Sequence, residues 1–367
     1  MLHDAATGTI PQLAALLKQR IAMQGPLTFA DFMDIALYHP NFGYYTRTMR
    51  QIGPTGDYLT APEVHPAFGR LLGRWAQERW QALGWPPRFA VIEGGPGTGA
   101  LARGVFEWAD GQPDFLAALE YVLVEKSGPL ANRQRRTLGP YASRCRWTES
   151  LASEPSGGAT GCFLSNELFD ALPVHRVVNE DGRLREIYVV WDREDFHEEI
   201  GEPSTPMVAE YLADAGVVLP AGRRFTVCLA ANEMVRDIAR VLRAGWVLTI
   251  DYGGTSEELL AREDDGLVCF ARHTVNADPY RDIGNQDIMA RVNFTALQRF
   301  GERMLLRTEA YTTQREFLEA LGLREVVASL DELPLSRREA WGHRKALLQL
   351  AEAGQFGEMR VLVQRRG

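Results

Sequence analysis

Apolar residues recur at helical spacing early in the chain and then gather into short unbroken runs, and this change of rhythm defines the expected fold. Leu13, Leu16, Leu17 and Ile21 share one face over residues 11–24, which predicts an amphipathic helix ended by Gly25-Pro26. A second helix is expected from Thr28 to Tyr38, stopped by His39-Pro40. Residues 40–59 are rich in Gly and Tyr and read as an ordered loop. Thr60-Ala61-Pro62-Glu63 reads as a capping box, and the helix behind it carries Val64, Phe68, Leu71, Leu72 and Trp75 on one side, ending near Gly84.

Beyond that point buried-strand runs alternate with helices. Phe89-Ala90-Val91-Ile92, Tyr121-Val122-Leu123-Val124, Cys162-Phe163-Leu164 and Trp246-Val247-Leu248-Thr249-Ile250 are the strands. The alternation predicts a doubly wound, mostly parallel α/β sheet of Rossmann-like type with helices on both faces. Right-handed crossovers place every carboxyl strand end on one edge, where ligands bind. Residues 176–228 break the rhythm with β-like runs at 185–191 and 224–229, and read as a β-rich insertion. Residues 285–357 look helical, and Val361-Leu362-Val363 is a candidate last strand. The expected division is a helical N-terminal region, 1–86, and a core, 87–367, that contains the insertion and a helical substrate subdomain at about 285–357.

The candidate chemistry begins at Val91-Ile92-Glu93-Gly94-Gly95-Pro96-Gly97-Thr98-Gly99-Ala100, a strand that opens through glycines onto a helix. Gly95, Gly97 and Gly99 leave backbone accessible, and the helix start offers unsatisfied N–H groups. Such a turn fits a dinucleotide, fits S-adenosylmethionine, or is a bare strand–helix turn. Glu93 favours the second, because a carboxylate there repels a pyrophosphate and suits a cationic sulfonium and amino group. Glu125 ends the second strand, where an acid accepts both ribose hydroxyls of an adenosyl ligand. Glu149, after the following strand, is the candidate for the adenine.

Composition narrows the function classes. Net charge is −8, which disfavours a protein that grips phosphate backbones, so no nucleic-acid partner is expected. No stretch approaches the roughly 18 apolar residues of a membrane span, and the N-terminus lacks the pattern of a secretory signal. The 4 cysteines are dispersed with no C-x-x-C pair, and the histidines lack metal-ligand spacing, so neither a disulfide framework nor a metal site is indicated. A cytoplasmic location is expected.

Several motifs then carry a family resemblance. Ala36-Leu37-Tyr38-His39-Pro40, Phe42-Gly43-Tyr44-Tyr45, Gly56-Asp57-Tyr58-Leu59-Thr60-Ala61-Pro62-Glu63, Glu93 to Gly99, Asn166-Glu167-Leu168-Phe169-Asp170-Ala171-Leu172-Pro173 and Asp251-Tyr252-Gly253 stand in order. With Asp278-Pro279 and Gln286-Asp287-Ile288…Val292-Asn293-Phe294, they cover about residues 12–324. The chain resembles the MidA-like S-adenosylmethionine-dependent methyltransferases, a family that includes the mitochondrial complex I assembly protein-arginine methyltransferase. The resemblance implies S-adenosylmethionine as methyl donor, S-adenosylhomocysteine as product, and an N-terminal segment folded over the cofactor. Asp57 and Thr60 are then cofactor contacts. His65, Gly94, Met289 and Asn293 depart from the family pattern.

Methyl transfer from a sulfonium needs alignment and exclusion of water, and a nitrogen or oxygen acceptor gains from a carboxylate that polarises it. Asn166, Glu167 and Asp170 follow a strand's carboxyl end and are the candidate catalytic group, with helix capping by Asn166 as the alternative. His175 is a further candidate base, and Tyr252 a candidate acceptor contact. The expected partner is a protein or small-molecule methyl acceptor, with a homodimer left open. An arginine of a partner protein, a small-molecule O-, N- or C-acceptor, and a non-catalytic assembly factor that binds the donor are the competing functions.

Overall fold

The computed structural model describes residues 8–47, 59–192, 194–271 and 274–367. The chain forms two compact units. Among the described residues, one contains 59–168, 235–252 and 301–367; the other contains 8–47, 169–234 and 253–300. This division differs from the expected one: the helix of residues 67–82 belongs with the larger sheet, not with the helices Pro11–Gln24 and Phe29–Tyr38.

In the first of these units the strands are β1 (Phe89–Gly94), β2 (Leu119–Val124), β3 (Cys145–Thr148), β4 (Ala159–Asn166), β5 (Leu242–Asp251), β6 (Arg307–Thr313) and β7 (Arg360–Arg366). They form one seven-stranded sheet in the order β6-β7-β5-β4-β1-β2-β3. The pairs β1–β2, β1–β4, β2–β3 and β4–β5 are parallel, and only β7 runs against its neighbours β5 and β6. The chain steps one way from β1 to β2 to β3 and then returns to the other side of β1 as β4. That reversal opens a crevice at the carboxyl ends of β1 and β4.

Helices α1 (Ala67–Ala82), α2 (Ala100–Ala109), α3 (Gly128–Leu138) and α4 (Arg337–Gln349) belong to the same unit. Phe68, Leu72 and Trp75 of α1 and Val105 and Phe106 of α2 join Tyr121, Leu123, Leu248 and Val361 in one core. α1 and α2 meet backbone to backbone: a Cβ added to Gly104 would lie 2.6 Å from the Cα of Gly69. Helix-interior glycine costs about 1 kcal/mol against alanine, and this contact is the reason it is present.

The other unit is built on antiparallel pairing. His175–Glu180 lies between Arg183–Trp191 and Arg224–Val227, and Leu27–Thr28 and Phe196–Gly201 also pair with Arg183–Trp191. Helices Pro11–Gln24 and Phe29–Tyr38 bury Leu13, Leu17, Phe29, Phe32 and Met33; Thr28 caps the second of these by accepting the Asp31 N–H at 3.0 Å. A three-stranded sheet contains Leu267–Ala271, Thr274–Asn276 and Asp287–Ala290. The stretch 285–357 is therefore not one helical subdomain: it holds Asp287–Ala290 in this unit and β6 in the other. Among the described residues no helix is long and apolar enough to cross a membrane.

Candidate active site

β1 runs into the glycine turn at the crevice. Gly95, Gly97 and Gly99 all have positive φ, at 62°, 52° and 86°. Gly95 is exposed and Gly97 is half-buried, so the bend presents bare main chain to a ligand. The surrounding packing is also tight at two of the three. A Cβ on Gly95 would lie 2.9 Å from Leu168 Cδ1, and one on Gly99 would lie 3.2 Å from Gln134 Cα. Gly99 is the N-cap of α2, and α2 starts at the turn with its free N–H groups.

Glu93 sits below this turn. It is 3% exposed and accepts a hydrogen bond from the Tyr121 hydroxyl at 2.7 Å. Burial, with a further contribution from nearby Glu125, pushes its carboxyl up to about 7. Glu125 follows the last residue of β2, beside the turn, since the Gly95 N–H donates to Val124 O at 3.2 Å. One Glu125 oxygen accepts the Ser127 N–H at 2.7 Å and the other accepts Gln134 Nε2 at 2.9 Å. Desolvation raises its pKa. Glu149 is exposed one residue past the end of β3.

At the end of β4, Asn166 Nδ2 donates to Glu167 Oε1 at 2.8 Å. The same oxygen accepts the Ala61 N–H at 3.2 Å, at the start of the short helix Ala61–Val64. Glu167 has φ 52°, a left-handed backbone that costs a non-glycine residue of order 1 kcal/mol and clusters at functional sites. Its N–H is held by Ile250 O at 2.9 Å, and the Leu168 N–H donates to Asp251 Oδ2 at 3.1 Å. The bend is thus fixed from β5.

Several expectations change. No helix follows Asn166, so Asn166 is not a helix cap; Glu167 does the capping, on a helix distant in sequence. Thr60 is an N-cap whose side chain makes no capping bond, so the capping box expected at Thr60 and Glu63 does not form. The helix expected to run on from there is broken at His65-Pro66 into Ala61–Val64 and α1. Asp170 is 2% exposed and lies in the other unit, where its charge acts on Tyr38. His175 Nδ1 lies 2.7 Å from Glu186, a carboxylate with no exposure, which makes it a structural partner. Asp57 lies outside the described residues.

Sequence reading missed Gln134, Tyr121 and Trp147 as members of the site. A signal for Gln134 exists. It stands between Leu130 and Leu138 at i, i+4 spacing, a polar residue on the buried face of α3.

The bare turn with its three left-handed glycines, and the carboxylate of Glu125 beside it, fit an adenosyl ligand. Comparisons with known proteins agree. Residues 71–312 match the family described as "Putative S-adenosyl-L-methionine-dependent methyltransferase". The chain is 30% identical over 320 residues to the "Protein arginine methyltransferase NDUFAF7 homolog, mitochondrial" of Drosophila melanogaster, covering 79% of this chain and 70% of the relative. It is 26% identical to the Homo sapiens "Protein arginine methyltransferase NDUFAF7, mitochondrial", covering 88% of this chain and 76% of that one. A Burkholderia thailandensis protein crystallised with S-adenosyl-homocysteine superposes with a TM-score of 0.86 at 30% identity, over 97% of this chain and 92% of the other.

Proposed function

This chain belongs to the S-adenosyl-L-methionine-dependent methyltransferase family, and from that premise we propose that its methyl acceptor is an arginine side chain of a partner protein. The observation that carries the reading is the Asn166–Glu167 pair at the carboxyl end of β4, next to the glycine turn across the switch point of the sheet. The names of the relatives, protein arginine methyltransferases, support it.

The division of labour follows from the geometry. When bound, S-adenosylmethionine supplies a methyl group on a sulfonium, already activated for displacement. The main chain of Gly95 and Gly97 receives the donor without side-chain obstruction, and Glu125 offers lone pairs to its ribose hydroxyls. Glu167 accepts N–H bonds from a guanidinium and holds one nitrogen in line for attack, as carboxylates grip the planar fork of arginine. Asn166 fixes the Glu167 carboxylate through its amide N–H.

The deciding experiment uses donor tritiated at the methyl group and an extract from cells lacking this gene. Label recovered as methylarginine after acid hydrolysis of the protein fraction is the expected result. Label confined to the small-molecule fraction, or to another amino acid, overturns the arginine assignment and leaves the methyl-donor chemistry standing.

A further inference from the structure

Gln134 has no exposed surface, yet it carries a primary amide, a group that is costly to bury unless fully bonded. Every polar atom of it is used. Nε2 donates to Gly97 O at 3.0 Å and to Glu125 Oε2 at 2.9 Å, and Oε1 accepts the Trp147 Nε1–H at 2.9 Å. The orientation of the amide is not ambiguous: an indole N–H only donates, while a carbonyl and a carboxylate only accept. Turning the amide over would oppose N–H to N–H and oxygen to oxygen.

One side chain on α3 therefore ties together the turn after β1, the acid after β2 and a residue of β3. We infer that Gln134 is a positioning residue for the methyl donor: it holds Glu125 and the glycine turn in one frame, so that the carboxylate faces the ribose hydroxyls. Gln134 holds one oxygen and the Ser127 N–H holds the other, which together fix the plane of the carboxylate. The inference rests on the reading of Glu125 as the ribose acid.

The test is calorimetric titration of the full-length protein with S-adenosylhomocysteine and with its 2′-deoxy counterpart. Gln134→Leu removes both donors at similar volume. We expect it to weaken S-adenosylhomocysteine about 10–100-fold, the size of a lost hydrogen bond to a charged group, and to abolish the wild-type preference for the ligand with the 2′-hydroxyl. Glu125→Gln should lose the same preference. Gln134→Glu sets a second carboxyl against Glu125. Its affinity should be poor at pH 8 and recover toward about pH 5.5, where a shared proton re-forms the bond; the wild type gains nothing on acidification.

Wild-type affinity and full 2′-hydroxyl preference in Gln134→Leu overturn the inference, provided Glu125→Gln is impaired. If Glu125→Gln is unimpaired, the ribose assignment itself fails. Should Gln134→Leu not fold, the pH profile of Gln134→Glu decides, and a profile parallel to the wild type overturns the inference. Loss of folding in both variants makes Gln134 purely structural and also overturns it.

Discussion

Glu167 is a residue with two demands on one carboxylate and an unfavourable backbone. Its left-handed φ is held by bonds from β5, and its Oε1 is shared between Asn166 and Ala61. Glu167→Gln keeps an oxygen for both bonds and removes the charge. It should bind S-adenosylhomocysteine within about 2-fold of wild type and slow methyl transfer about 10–100-fold; equal single-turnover rates would reduce Glu167 to a cap. Glu93 makes a prediction of a different kind. Its carboxyl is raised from 4.5 to about 7 on folding, chiefly by burial, so the folded protein holds this proton more tightly than the unfolded chain. Its contribution to stability is complete below about pH 4.5 and is lost as pH rises through 7. Glu93→Gln retains an acceptor for Tyr121 without an ionisable group. It should exceed the wild type in stability at pH 8 by about 1–3 kcal/mol, with the difference closing toward pH 4.5. Denaturant unfolding at the two pH values measures this, and a pH-independent difference would refute it. Glu93, Glu125 and the glycines were legible because their chemistry is tied to one turn. The Glu167–Ala61 and Gln134–Gly97 bonds were not, because they join residues 106 and 37 positions apart in sequence.

Elements with a strong hydrophobic rhythm were readable, and those without it were not. The helices Pro11–Gln24 and Phe29–Tyr38 and the interior strands β1, β2, β4 and β5 were expected near their observed places. β6 was missed within a supposed helical region. Its sequence, Arg307-Thr308-Glu309-Ala310-Tyr311-Thr312-Thr313, is polar because it is an edge strand with several exposed positions. The break at His65-Pro66 was hidden because the apolar pattern continues across it. Proline at the N-cap of α1 removes a backbone donor, and His65 instead accepts the Ala67 N–H through Nδ1 at 3.1 Å. The close approach of α1 and α2 was also hidden, since glycine in a helix reads only as a weakness. Gly104→Ala tests that contact. Alanine gains up to about 1 kcal/mol of helix propensity, but its Cβ meets the Gly69 backbone, and overpacking costs about 1–3 kcal/mol or more. A net loss of about 2 kcal/mol is expected in thermal or denaturant unfolding; a stabilised variant would show that the helices part easily.

At the scale of the whole molecule, the chain passes between its two units at 168/169, 234/235, 252/253 and 300/301 among the described residues. Sequence reading placed one boundary at 86, where the apolar rhythm changes, but that change marks the start of the sheet and not the edge of a unit. A fragment 87–367 lacks α1, and with it Phe68, Leu72 and Trp75 of the core, and should be unable to fold cooperatively. A sharp thermal transition in that fragment would contradict this. The position of β7 has a consequence for biosynthesis. β7 is the final strand in chain order, yet it lies inside the sheet, between β5 and β6. A ribosome must therefore deliver residues 360–366 before β6 can find its neighbour, so the outermost strand waits, unpartnered, until they arrive. A nascent chain held short of residue 360 would expose an open edge to aggregation.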